Sequence, residues 1–172
     1  TIYSGEKFLV SGASGAGKST LLKCLLGFNP FTGSVYFGKS LLNSKNIHDI
    51  RLKSAYIPQE PIILNSNVLD FIKEPFKYEA NRNMVFDENR LDEMFKRFLL
   101  PLSIKYAATD QLSGGEKQRV AIIAAMLLDR EFMFFDEPIS ALDLDCKKVF
   151  ADIIGQMDNT TCVIVSHDKN IL

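Results

Sequence analysis

The sequence predicts an α/β fold built around a parallel β-sheet. Two patterns carry that reading. Strand-like apolar runs, KFLVSG, FMFFDE and TTCVIVSH, recur along the chain, and segments with helical spacing separate them, as strand–helix–strand units require. The first run leads directly into a glycine-rich turn and a helix-forming segment. A chain of 172 residues is long enough to bury a core as one domain.

The elements follow in order. After KFLVSG and its turn, KSTLLKCLLGF places apolar residues at helical spacing and stops at Gly27, a residue suited to a helix C-terminus. FTGSVYFGK reads as a turn followed by one short strand. From about residue 66 to 105 the chain is mainly helical and more charged, as in DENRLDEMFKRFL, and reads as a helical insertion on the sheet. GGEKQRVAIIAAMLLD is a long, partly buried helix, and FMFFDE and TTCVIVSH are buried strands. The expected division is a core at about 1–65 and 120–172 with a helical subdomain at about 66–119.

Composition excludes several classes of function. Twenty basic residues oppose 21 acidic ones, for a formal net charge of −1, so the basic footprint of a nucleic-acid binder is missing. The longest apolar run, Val120 to Leu128, is far short of the roughly 20 residues that cross a bilayer. The start, TIYSGEKFLV, does not read as a secretory signal. Cys24, Cys146 and Cys162 match no zinc spacing and read as reduced, buried small side chains.

GASGAGKS matches the phosphate-binding pattern G-x-x-x-x-G-K-[ST], with a strand before it and a helix after it. Gly12, Ala13, Ser14, Gly15, Ala16 and Gly17 would turn backbone N–H groups toward phosphate oxygens, and the helix begun by Lys18, Ser19 and Thr20 adds its positive end. Lys18 is expected on the β- and γ-phosphates of a nucleoside triphosphate, and the Ser19 hydroxyl on Mg²⁺. FMFFDE ends in two carboxylates. Asp136 suits the Mg²⁺ side of such a site, and Glu137 suits a general base for water. Alone, the pair would be a solvated acidic turn; beside a phosphate loop it reads as machinery. The fold expectation is therefore a P-loop NTPase with a RecA-like core.

LSGGEKQR, Leu112 to Arg119, is a second glycine turn at a helix start, another anion site in form. One triphosphate needs only one cradle. With this motif the chain closely resembles the ATP-binding cassette (ABC) ATPases, and the resemblance runs nearly end to end. Gly12 to Thr20 matches the Walker A loop, Gln59 in YIPQEP the Q-loop, and Ser113-Gly114-Gly115 the signature. Phe132 to Glu137 matches Walker B with its catalytic Glu, SALD (Ser140 to Asp143) the D-loop, and His167 in VIVSHD the switch histidine. Glu116 stands where many members have Gln.

The resemblance implies a head-to-tail dimer with a second copy, enclosing two ATP, in which each signature turn faces the γ-phosphate held by the other chain. Gln59 would contact Mg²⁺ and the attacking water, and His167 the γ-phosphate. It further implies a motor that drives a separate multi-span permease from the cytoplasmic face of the cell membrane. Among subfamilies the chain is similar to small bacterial ATPases paired with a metal- or iron-export-type permease. Ile62, Ile63 and Leu64, after the Q-loop, would line the groove for a permease helix. Two alternatives stand beside this reading: a soluble ABC-type ATPase in DNA repair, translation or iron–sulfur assembly, and a small-molecule kinase, which leaves LSGGEKQR unexplained. The pattern also places an adenine-stacking aromatic well upstream of Walker A. Only 11 residues precede Gly12 and Tyr3 is too near, so the chain reads as a cassette without its edges that discriminates little between bases.

Overall fold

The computed structural model describes residues 1–63, 66–168 and 171. Four parallel strands form the central sheet, β1 (Lys7–Val10), β4 (Ser54–Ile57), β5 (Phe132–Asp136) and β6 (Thr161–Val165), in the order β1-β6-β5-β4. β6 is buried throughout and β5 nearly so, because helices cover both faces of the sheet and leave no wet side for alternation. The α/β reading holds. β4 is the strand that the apolar pattern misses: SAYI is short and carries Ser and Ala where a run of large apolar residues would announce it.

FTGSVYFGK holds the expected short strand, and the chain after it adds a partner strand. Together they form a hairpin, β2 (Tyr36–Phe37) with β3 (Ser40–Leu41), turned at Gly38, whose φ is +61°.

One sheet face packs against α1 (Lys18–Leu25), whose Leu22, together with Leu26, meets Phe134, Val163 and Val165. The other face carries the larger core, where Met133, Phe135 and Ile164 meet α3 (Val68–Lys73), α4 (Glu88–Arg97), α5 (Gly114–Met126) and α6 (Leu144–Gly155). The short α2 (Ile47–Leu52) precedes β4. Two of these helices start on an aspartate cap. Asp87 caps α4 by accepting from the N–H groups of Asn89 and Arg90, and Asp143 caps α6 by accepting from Cys146 N–H. Leu91, Met94 and Phe95 give α4 its buried stripe.

The expected boundary between 119 and 120 falls inside α5. Val120, Ile122 and Ile123 of that helix share one apolar cluster with Leu91 and Phe95 of α4 and with the sheet, so no linker separates insertion from core there. Polar ties add to this: Arg90 donates to both carboxylate oxygens of Asp129 at 2.5 and 2.6 Å, and Arg97 to Gln156 at 2.6 Å. Cys146 and Cys162 are buried and Cys24 half-buried, all with free thiols; burial pushes the Cys162 thiol up to about 11.

Candidate active site

The glycine-rich loop leaves β1 and enters α1 with Gly15 at φ +79° and Gly17 at φ +90°. Those values are open to glycine and strained for other residues, and they turn successive N–H groups to one side. Ser14, Gly15, Gly17, Lys18, Ser19 and Thr20 line one wall of a cleft of about 340 Å³; Gln59, Glu137 and His167 line the other. The Lys18 ammonium donates to the carbonyls of Gly12 and Ala13 at 3.0 and 3.1 Å and lies 3.9 Å from Glu137 Oε1. Ala16 N–H closes a turn on Ala13 O at 3.2 Å. The fold thus gathers Walker A, Gln59, Glu137 and His167 from four separate stretches of chain.

At the end of β5, Asp136 is 3% exposed. Its Oδ1 accepts from Ser19 Oγ at 2.8 Å and its Oδ2 from the Tyr56 hydroxyl at 3.2 Å. Burial, followed by the Asp136 charge and hydrogen bond, pushes the Tyr56 phenol up to about 12, so it stays a donor at neutral pH. Tyr56 is the site neighbour that motif reading misses; its only signal is an aromatic three residues before Gln59.

Glu137 sits at φ +47°, an uncommon conformation for a residue with a side chain. Its N–H donates to Val165 O at 2.9 Å, and its carbonyl accepts from Ser140 N–H and Oγ–H at 3.3 and 3.0 Å. This bent exit turns the Glu137 carboxylate into the cleft, where Oε2 meets His167 Nδ1 at 2.8 Å and accepts from His167 N–H at 3.3 Å. The His167 side chain is 67% exposed, open on the side away from Glu137. Gln59 lies at the cleft edge.

Ser113, Gly114 and Gly115 are not among the residues lining the cleft. They form the start of α5, where a capping box fixes the turn: Ser113 Oγ accepts from Glu116 N–H at 3.3 Å, and the Glu116 carboxylate accepts from Ser113 N–H and Oγ–H at 2.9 and 2.7 Å. Those bonds hold the Glu116 carboxyl below its ordinary range, hydroxyl first and then backbone, with the Arg119 charge helping. Gln would lack that charge, so Glu116 suits the cap. A Cβ on Gly115 would lie 2.8 Å from Ala141 O, which seats the signature turn directly on the SALD segment. Arg119 reinforces the seat by donating to Cys146 Sγ at 2.8 Å.

Residues 1–140 match the family model described as ABC transporter. The chain belongs to the ABC transporter family. As an ABC cassette it is an ATPase domain that binds ATP and ADP. It is 36% identical, over 99% of its length and 78% of the relative's, to the lipoprotein-releasing system ATP-binding protein LolD of Buchnera aphidicola subsp. Schizaphis graminum. It is 30% identical to the mesentericin-Y105 transport/processing ATP-binding protein MesD of Leuconostoc mesenteroides, over 99% of this chain and 24% of that protein. The cassette therefore spans about a quarter of the length of MesD. Among solved structures, the ATP-binding cassette MJ0796, as a dimer in a post-hydrolysis state with ADP and Pi, superposes with a TM-score of 0.79 at 29% identity, over 99% of this chain and 78% of that one. Among the described residues no helix is long and apolar enough to cross a membrane.

Proposed function

We propose that this ABC cassette is the ATP-hydrolysing motor of a transporter, pairing head-to-tail with a second copy around two ATP and driving a multi-span permease from the cytoplasmic face of the membrane. One observation carries the reading. The chain has two glycine turns at helix starts, and only one of them lines the cleft that holds Lys18, Glu137 and His167. A signature turn built and capped, yet outside its own cleft, serves a phosphate held by another chain.

On this reading each residue of the cleft takes a role. Loop N–H groups from Gly12 to Thr20 and the α1 N-terminus hold the phosphates, and Lys18 exchanges its carbonyl partners for phosphate oxygens. Ser19, Asp136 and Gln59 offer only oxygen donors, and one buried carboxylate with phosphates is what Mg²⁺ takes, rather than an all-protein cage. When bound there, Mg²⁺ neutralises developing charge on the phosphates. Glu137 accepts the proton of the attacking water, and His167, already on its carboxylate, holds that carboxylate and contacts the γ-phosphate. The 66–119 segment, which follows Gln59 and contains the signature, then forms the part that carries nucleotide state to the permease.

Complementation tests the pairing. A Cβ added at Gly114 would meet only open space, so Gly114→Asp should fold while setting a negative charge against phosphate. Mixed with Lys18→Ala, each only weakly active alone at an ATP concentration that leaves the Lys18 variant mostly empty, it leaves one intact composite site per mixed dimer. A 1:1 mixture is expected to recover about a quarter of the wild-type rate, since half of the dimers are mixed and each has one working site of two. A mixture no more active than its components would overturn the head-to-tail arrangement.

For the proposed permease contact, the burial of the two isoleucines favours Ile62 over Ile63. Ile62 is 86% exposed, whereas Ile63 packs against the main core; Leu64 lies outside the described residues. Ile62→Asp is expected to change stability by less than about 0.5 kcal/mol and to abolish co-purification with the permease. Ile63→Asp is expected to lose about 1–3 kcal/mol of stability, read as a lowered melting temperature, because it puts a carboxylate into apolar packing. Normal co-purification of the Ile62 variant would remove this patch from the interface.

A further inference from the structure

Beyond the residues that line the cleft, we propose that Tyr56 is a positioning residue of the site, its hydroxyl fixing the Asp136 carboxylate so that one oxygen stays on Ser19. The inference rests on the reading of Asp136 as the Mg²⁺-side carboxylate.

Strand register makes the contact possible. Tyr56 of β4 stands opposite Phe134 of β5, and Asp136 is two residues further along on the same face. A diagonal neighbour at that spacing is within reach of an aromatic side chain. The ring therefore lies along the sheet and brings its hydroxyl to Asp136 Oδ2 at 3.2 Å, while Ser19 holds Oδ1 at 2.8 Å. A carboxylate turns easily about its terminal bond. With both oxygens tied by separate donors, Asp136 keeps one orientation.

The ring itself is seated from the far end of α1. Phe28 lies 6.5 Å from it, centroid to centroid, with the planes inclined at 55°. Arg51 covers the Phe28 ring at 4.4 Å and donates to the carbonyls of Leu26 and Gly27, both at 2.9 Å. The chain just past the C-terminus of α1 thus braces Tyr56, and the first turn of the same helix carries Ser19. Tyr56 does not line the cleft, so its influence on nucleotide passes through Asp136.

The test uses the full chain with ADP, Mn²⁺ as the probe metal, and Tyr56→Phe, which keeps the ring and removes only the hydroxyl. Free Mn²⁺ is followed by electron paramagnetic resonance at saturating ADP. The Mn²⁺ dissociation constant is expected to rise about five- to tenfold, as loss of one hydrogen bond of ordinary net worth implies. ADP affinity measured in EDTA and the melting temperature should stay at wild-type values. An unchanged Mn²⁺ constant, or an equal loss of ADP affinity with and without metal, would reduce Tyr56 to ring packing and overturn the proposal. Asp136→Asn separates the two levels. If it weakens Mn²⁺ and Tyr56→Phe does not, the Tyr56 inference alone falls. If Asp136→Asn has no effect on Mn²⁺, the reading of Asp136 falls and takes the inference with it.

Discussion

Glu137→Gln is expected to lower ATP turnover by about 10²–10⁴-fold, the range for removal of a positioned general base. The amide keeps the shape of the carboxylate and can still accept from His167 N–H, so the backbone bend at Glu137 and its bonds to Val165 and Ser140 have no reason to change. What is lost is a group that takes a proton. ATP binding is expected to hold or tighten, because a carboxylate whose Oε1 lies 3.9 Å from Lys18 sits beside the triphosphate and repels it. With binding retained and hydrolysis stopped, the variant should accumulate as an ATP-bound dimer, seen as a shift in size-exclusion elution with ATP and Mg²⁺. A variant that stays monomeric and hydrolyses ATP at the wild-type rate would remove Glu137 from the role of base.

Lys18→Ala is expected to weaken ATP binding by about 10–100-fold, the worth of a charge-assisted hydrogen bond to phosphate. Two effects contribute. The ammonium is lost from the terminal phosphates, and the loop loses the bonds from Lys18 to the Gly12 and Ala13 carbonyls that hold its curve. Because the left-handed turns at Gly15 and Gly17 remain, backbone N–H groups still face the cleft and binding should be reduced, not abolished. Calorimetric titration with ATP reads the change directly. Affinity equal to wild type would mean that Lys18 does not reach the phosphates.

The two variants separate holding from cutting. Lys18→Ala lowers occupancy, and its remaining turnover should recover as ATP is raised; the loss in Glu137→Gln should not. That contrast follows from where the charges sit: Lys18 acts on the bound ground state, whereas Glu137 acts on the proton released in the transition state.

The motifs that sequence could read are those in which local chain carries the whole signal. GASGAGKS needs only its glycines and its flanks, since successive N–H groups are aimed by the backbone of one turn. FMFFDE declares a buried strand by its continuous apolar run, and the two glycines after Ser113 declare a turn at a helix start. Such features depend on contacts within a few residues, and the structure places them as expected. β4 was not legible, because SAYI gains its strand character from β5 beside it rather than from its own composition. The boundary near 119 was not legible either. The apolar face of α5 looks the same in sequence whether it packs on the insertion or the sheet, and in the fold it packs on both.

The sequence by itself determined the phosphate loop, the pair Asp136 and Glu137, and the second glycine turn, because each is a local arrangement of backbone and cap. Only the tertiary structure decided which groups meet: Ser19 and Tyr56 on the two oxygens of Asp136, from partners 117 and 80 positions away, and His167 on Glu137 from 30 positions away. It also decided that Ile62 faces outward while Ile63 packs inward. The physical reason is that such pairings are set by strand order and register, β1-β6-β5-β4. Those arise from how the apolar faces of distant segments pack together, which no stretch of neighbouring residues encodes.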